Sequence, residues 1–412
     1  MAAAGNSTMN ILYVCHRFPF PPQRGGKIRP FNMIRHFASQ GHQVTVASLA
    51  RSVEEARAAE GIREYCADYL LEIISPVAAH ARMLARLPSP TPSSLGYFYS
   101  PQLKRRIDQA LARRRYDLVF VHCSSVAQYV ERVAGIPKVL DFGDMDSQKW
   151  FLYAKERPFP LSMGYFIEAS KLRQAEQAMA RRFDLCTCTT AAEFETLQSF
   201  RPGTRLGWFP NGVDAEYFKP VTEDYEEHTI SFIGRMDYYP NQRAMLDFCA
   251  HTFPLVRAAR PDAQLLIVGA SPPARIRALA RQSGVTVTGS VPDVRPYVLR
   301  SALTVAPLDI ARGTQNKVLE AMAMGVPVVA SREAARGVDA LPGEHLLTAS
   351  GPRETADAVL GLLNDRQARA RLAQAGRARV LSHHSWSASL RRLDGLLAEC
   401  LANVAGTGAQ AA

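Results

Sequence analysis

Along this chain, short apolar runs of strand length alternate with amphipathic stretches of helix length. In the first half, Ile11–His16 reads as a buried strand, followed by a loop holding Pro19, Pro21, Pro22, Gly25 and Gly26. Pro30–Gln40 reads as a helix, with Pro tolerated at its start and Gly41 ending it. Strands at Gln43–Ala50, Tyr69–Ile74, Asp117–Val121, Lys138–Phe142 and Asp184–Cys188 then alternate with helices at Val53–Cys66, Val77–Leu87, Pro101–Arg115 and Ser125–Val133. Pro88–Ser94 reads as a loop, and Pro158 and Pro160 predict a break inside the long amphipathic stretch Lys149–Arg182.

A turn-rich segment, Phe209 to Asp214, and a polar one, Pro220–Glu227, form a seam, after which the rhythm restarts. Strands are predicted at Thr229–Ile233, Gln264–Val268, Val285–Thr288, Leu303–Ala306 and Val326–Ala330. Helices are predicted at Asn241–Ala259, Ala274–Gln282, Val294–Ser301 and Asn316–Met324, with three more at Arg353–Leu363, Arg366–Leu381 and Ser387–Ala402. The pattern predicts an α/β fold of two doubly wound parallel sheets, over residues 9–209 and 210–385. Two such sheets leave a cleft, and their ligands bind at the carboxyl ends of strands. The residues just after strands are therefore the ones to weigh.

Composition narrows the class. With 412 residues, 47 % apolar and 21 % charged, the chain has the profile of a globular protein of two or three domains. Collagen-like, disordered and small disulfide-stapled classes are excluded. The apolar runs are far shorter than the roughly 20 residues of a membrane span. Met1–Asn10 lacks the basic flank and apolar core of a signal peptide and reads as a frayed leader, with Met9 an alternative start. A cytoplasmic protein is expected, and seven scattered cysteines agree with that. Cys186 and Cys188 form a C-x-C in a strand-like run, read as two buried thiols ahead of a zinc site. The net charge of +11 lies mostly on dispersed arginines. Solvated helix faces account for it first, an anionic membrane surface second and nucleic acid third, because no nucleic-acid-binding motif accompanies it.

Several residues after strands carry chemistry. Gly25 and Gly26 precede a helix and bring backbone N–H groups near an anion, although neither a dinucleotide fingerprint nor a P-loop is present. His122 ends a strand and suits a base or a hydroxyl contact. Asp141, Asp144 and Asp146 follow another strand; they could meet hydroxyls, cap the next helix, or hold a metal on a diphosphate. Arg235 follows a strand and suits phosphate, and Asp293 and Val294 lie where a loop presents backbone to a planar base. Arg312, Gly313 and Thr314 lead into a helix whose N-terminus suits a diphosphate. Lys317 and Glu320 lie one turn in and on one face, an ammonium for phosphate and a carboxylate for a ribose diol, or else an exposed ion pair.

These residues bring out a family resemblance. Lys317-Val-Leu-Glu320-Ala-Met-Ala-Met-Gly-Val-Pro-Val-Val-Ala-Ser331 resembles the nucleotide-binding motif of family 4 glycosyltransferases of the GT-B fold. Pro210-Asn-Gly-Val-Asp214, Phe232-Ile-Gly-Arg235 and Gly289-Ser-Val-Pro-Asp293-Val-Arg-Pro-Tyr297 match in order and spacing. His16-Arg-Phe-Pro-Phe-Pro-Pro-Gln-Arg-Gly-Gly-Lys-Ile-Arg29, Met236-Asp-Tyr-Tyr-Pro-Asn241 and Ala311-Arg-Gly-Thr-Gln-Asn-Lys317 are similar to the sugar transferases of PEP-CTERM/exosortase exopolysaccharide loci.

The resemblance implies an acceptor-side domain over 9–209, to which a helix at 386–404 returns, and a nucleotide-sugar domain over 210–385. It implies a retaining transfer that uses no metal and no cofactor, with a nucleotide-diphosphate sugar as co-substrate. The acceptor is a glycan or a lipid-linked saccharide, the membrane contact peripheral at the inner face, and nucleic acid no partner. His122 matches the histidine that contacts the donor sugar, Arg235 the phosphate arginine and Glu320 the last carboxylate of an E-x7-E motif. With Lys317, His122 and Arg235 form the implied catalytic set. The donor set is Gly25, Gly26, Arg235, Asp293, Val294, Arg312, Gly313, Thr314, Lys317 and Glu320. The first carboxylate of the motif is replaced by Arg312, and the family's usual lysine is missing from Met236–Arg243. A sugar-nucleotide epimerase, a metal-dependent transferase using Asp144 and Asp146, and a non-catalytic partner subunit are the competing readings.

Overall fold

The computed structural model describes residues 8–22, 25–221, 225–311 and 313–410. It divides into two units. The first holds the residues up to Thr189, Glu193–Phe209 and those from Leu390 onward; the second holds Thr190–Ala192 and Pro210–Ser389.

The first unit is built on seven parallel strands: β1 Asn10–Cys15, β2 Gln43–Ala50, β3 Asp68–Ile73, β4 Leu118–His122, β5 Lys138–Asp141, β6 Leu185–Cys188 and β7 Arg205–Trp208, in the order β3-β2-β1-β4-β5-β6-β7. All residues of β4, and all but the first of β1, are buried, so both faces of the sheet are covered. That is why these strands read as unbroken apolar runs. The strand order reverses between β1 and β4, where Cys15 pairs with His122.

The second unit holds six parallel strands: β8 Glu226–Ile233, β9 Gln264–Val268, β10 Val285–Gly289, β11 Ser301–Ala306, β12 Val328–Ser331 and β13 Leu347–Ala349, in the order β10-β9-β8-β11-β12-β13. Its reversal lies between β8 and β11. The loops after those strands carry Arg235 and the segment leading to Lys317. Ligands of open parallel sheets gather at such reversals.

Several expected elements are corrected. The first helix runs Gly25–Ser39, so the two glycines open the helix instead of lying in the loop before it. The helix expected at Ser125–Val133 is a 3-10 segment, Ser124–Tyr129. Ser93–Tyr97 forms a short helix at the end of the expected loop. Strands β7 and β13 and the helix Ala191–Ser199 were not anticipated. The prolines do break the long stretch, giving helices Asp146–Glu156 and Leu161–Ala180, which pack through Trp150 and Tyr165 with ring centroids 5.4 Å apart.

The last helix, Trp386–Gln410, is shared by the two units. Within the first unit it buries Leu390, Leu393, Leu397 and Cys400, and Asp394 meets His36 Nε2 at 2.8 Å. Arg392 lies 4.0 Å from the Trp208 ring centroid. A side chain at Gly207 would put its Cβ 2.6 Å from Leu396, so this helix sets the identity of that β7 residue.

Candidate functional site

In the first unit the site is organised by one buried carboxylate. Asp141 ends β5 with no exposed surface. Its Oδ1 accepts from Arg29 Nη2 at 3.0 Å and Thr187 Oγ1 at 2.9 Å. Its Oδ2 accepts from Arg29 Nε and from His122 Nδ1, both at 2.8 Å. Burial alone would raise the Asp141 pKa, but the Arg29 charge and these bonds hold it well below the usual carboxylate range. Arg29 comes from the first helix, also donates to Phe209 O at 3.1 Å, and lies 3.7 Å from the Phe209 ring centroid. One guanidinium thus ties together the ends of β5 and β7.

Since Nδ1 of His122 faces the Asp141 carboxylate, Nε2 is the ring nitrogen left for a substrate. His122 is buried at the end of β4, its ring centroid 5.9 Å from that of His16. His16 Nδ1 is buried without a hydrogen-bond partner. Gly143, at φ 69°, lets the loop pass beside the His122 ring; a Cβ there would lie 3.5 Å from Cε1.

Asp141 therefore cannot serve as the acceptor or sugar contact the sequence suggested; all its acceptor capacity is used inside the protein. Asp144 is exposed, and its Oδ1 accepts from Thr189 Oγ1 at 2.8 Å. Asp146 is the first residue of its helix, with burial pushing its carboxyl upward. It does not cap that helix. Glu193 accepts from Met145 N–H at 3.1 Å and Glu176 from Ser147 N–H at 3.0 Å, so two buried carboxyl groups supplied from elsewhere do so. Gly26 is exposed beside Arg17, and Lys27 is spent on an ion pair with Glu55. Cys186 and Cys188 are buried thiols whose Sγ atoms point at Ala180 O and Gly207 O.

In the second unit the side chains converge after β8 and at the helix Asn316–Ala323. Lys317 Nζ donates to Asn241 Oδ1 at 2.7 Å and lies 5.1 Å from the Phe232 ring centroid. Asn241 Nδ2 donates to Arg235 O at 2.9 Å. Gly234 must be glycine: a Cβ would lie 2.7 Å from Asn241 Nδ2 and 3.4 Å from Lys317 Cε. Burial lowers the Lys317 pKa to about 8, and burial raises that of Glu320 to about 7, each opposed by the charge of the other. Gly313 takes φ 64°, a backbone shape that favours glycine. Beyond it, Thr314 Oγ1 and Asn316 Oδ1 are buried with no hydrogen-bond partner. An unmet buried polar atom costs about 1–3 kcal/mol, and two at one helix start are what a polar ligand would satisfy.

Other predicted donor residues are less available. Arg235 is half exposed and forms a bidentate ion pair with Asp237. Both Asp293 oxygens accept from Arg295, whose guanidinium lies 3.8 Å from the Tyr217 ring centroid. Val294 packs against the core of the unit. Arg312 lies outside the described residues. Asn241 and Arg29 were missed: Asn241 hid in a predicted helix, and Arg29 was overshadowed by the glycines beside it.

Residues 24–217 match the family model described as Glycosyltransferase Family 4, and residues 227–365 match that of Glycosyl transferases group 1. Sucrose-phosphate synthase from Thermosynechococcus elongatus superposes with a TM-score of 0.71 at 16 % identity, covering 96 % of this chain and all of that one. The Anabaena protein HepE, in complex with UDP and glucose, gives 0.67 at 15 % identity over 95 % of this chain and 99 % of its own. The fold is GT-B, and each half matches a glycosyltransferase model.

Among curated relatives of this GT-B chain is a GDP-mannose-dependent monoacylated alpha-(1-6)-phosphatidylinositol monomannoside mannosyltransferase of Corynebacterium glutamicum. It is 30 % identical over 211 residues, which is 46 % of this chain and 55 % of that protein. The GT-B chain thus matches about half the length of that relative. The matched residues 24–217 contain Arg29, Asp141 and His122, and residues 227–365 contain Asn241, Lys317 and Glu320. Each of the two clusters therefore lies within residues matched by a glycosyltransferase model.

Proposed function

We propose that this chain transfers a sugar, with retention and without a metal, from a nucleotide-diphosphate sugar to a lipid-linked saccharide or glycan in exopolysaccharide assembly. The observation that carries the reading is the start of the helix Asn316–Ala323, where the Thr314 hydroxyl is buried with no partner and able to donate, beside Lys317 and Glu320. Free N–H groups and a positive helix end suit a diphosphate. Lys317 and Arg235 supply the cations that offset charge building on the leaving phosphate, usually the largest catalytic contribution in such sites. Glu320 accepts the hydrogens of the ribose diol. His122 keeps the role that the family resemblance implies for it, a contact with the transferred sugar. The named mannosyltransferase relative supports a lipid-linked acceptor.

The test is a thermal-shift panel of UDP, GDP and ADP, each with magnesium and with EDTA. A ligand that binds only the folded state raises the melting temperature, by about 2.7 kcal/mol of stability at a hundredfold excess over Kd. One diphosphate is expected to shift the melt equally in EDTA, and Lys317→Ala or Glu320→Ala to abolish the shift. No shift with any diphosphate at millimolar concentration overturns the reading.

A further inference from the structure

The helix pair of the first unit ends in an unusual tip. Phe159, Leu161, Met163, Phe166 and Ile167 follow one another within nine residues, and every one is exposed, Phe159 by 75 %. Beside them lies the helix Pro76–Ala85 with its following turn, where Val77, Leu84 and Leu87 are exposed. The two segments touch. Lys171 Nζ donates to Leu87 O at 2.7 Å, and Glu168 accepts from Ser93 N–H at 3.1 Å and Ser94 N–H at 2.8 Å. Met163, Ile167 and Lys171 share one helical row, so the apolar tip leads directly to Leu87. Monomeric proteins rarely leave an apolar patch of this breadth in water.

Charge identifies what covers it. No Asp or Glu occurs anywhere from Ile73 to Ile107, or from Arg157 to Ile167. Arg82, Arg86, Lys155, Arg157, Lys171 and Arg173 lie in or beside these segments against one exposed acid, Glu156, while Glu168 is buried under the serine N–H groups. A second copy docked face to face would set these basic groups against one another. We propose instead that this surface seats the protein on an anionic lipid bilayer. The aromatic and aliphatic tip enters the headgroup boundary, while the basic side chains lie along it and meet lipid phosphates. The inference extends the reading of a lipid-linked acceptor by naming the surface that meets the lipid. Its test reads binding and not turnover, so the two stand or fail separately.

The full chain is floated with vesicles of phosphatidylcholine alone and with about 30 % phosphatidylglycerol, at about 0.1 M and about 0.5 M salt. Binding to the anionic vesicles, weakened by salt, is expected. Phe159→Ser/Phe166→Ser should lower the partition constant about tenfold or more, and Lys155→Glu/Arg173→Glu about tenfold at low salt only. Leu341→Ser, an exposed leucine of the second unit, should change nothing. All variants alter exposed side chains, and unchanged melting curves verify their folding. The proposal is overturned if the wild type stays unbound at low salt, or if the serine variant floats as well as the wild type. It is also overturned if light scattering finds a dimer that the serine variant splits, since the face is then a self-interface.

Discussion

A guanidinium taken out of water costs several kcal/mol unless its charge and donors are met. Arg29 meets that condition through Asp141, Phe209 O and the Phe209 ring. Arg29→Met leaves a buried carboxylate and should destabilise the first unit by about 3–5 kcal/mol in urea melts at pH 7. Since the Asp141 pKa is lowered by folding, the pair's contribution is fully present above the unfolded carboxylate value of about 3.9. It fades as pH falls toward the lower folded value, so the wild-type and Arg29→Met stabilities should converge in acid. Lys317 and Glu320 give a second pH signature. An anionic diphosphate needs the Lys317 ammonium, which is lost above about pH 8, and the ribose needs the Glu320 carboxylate, which is lost below about pH 7. Diphosphate affinity should peak between these values, and Glu320→Gln should remove the acid limb while weakening binding about tenfold. Titration calorimetry across pH measures both. The places of His122 at a strand end and of Lys317 and Glu320 in the first turns of a helix were legible in the apolar rhythm. Asp141 was misread because sequence gives its position after a strand but not the arginine from another element that consumes it.

Two helix starts in the first unit, at Ser93 and at Asp146, are held by carboxyl groups that the local sequence does not contain. Glu168 serves Ser93 and Ser94, and Glu176 serves Ser147. Such caps cannot be read from the usual short-range patterns, since the partners are 75 and 29 residues apart. Burial pushes the Glu176 carboxyl up to about 8, so the folded state holds its proton where the unfolded chain has released it. Stability from this group is complete below the unfolded value near 4.5 and declines as pH rises toward 8. Glu176→Gln keeps an amide oxygen for Ser147 N–H and should flatten that decline, by about 1–3 kcal/mol at pH 8, in urea melts from pH 5 to 8. The fully buried strands were legible as apolar runs. Strand β7, Arg-Leu-Gly-Trp, was not, because its half-buried residues show neither a run nor an alternation. The pattern places the start of the first helix five residues late, because Gly25 and Gly26 are poor helix formers that become helical only through the packed turns beyond them.

At the scale of the whole molecule, the two sheets were legible because the strand–helix rhythm stops at a turn-rich seam and begins again. What periodicity does not give is the destination of the last helix: an apolar stripe announces burial, not the partner. That destination came from the family resemblance, and the contacts explain it physically. From Leu390 on, the helix fills the first unit with Leu390, Leu393 and Leu397, each at most 5 % exposed, and sets Asp394 against His36. Burying three leucines contributes about 6 kcal/mol as an upper figure, comparable with the 5–15 kcal/mol that holds a whole domain together. A chain ending at Ser389 should therefore lose its first unit selectively. The six-stranded sheet keeps its own core, which draws no residue from the removed segment. Limited proteolysis should cut the truncated chain throughout residues 10–209 while a fragment beginning near Pro210 survives, and the melt should lose the transition of the first unit. If instead both units resist protease as in the full chain, the returning helix is an appendage and not part of the first unit's core.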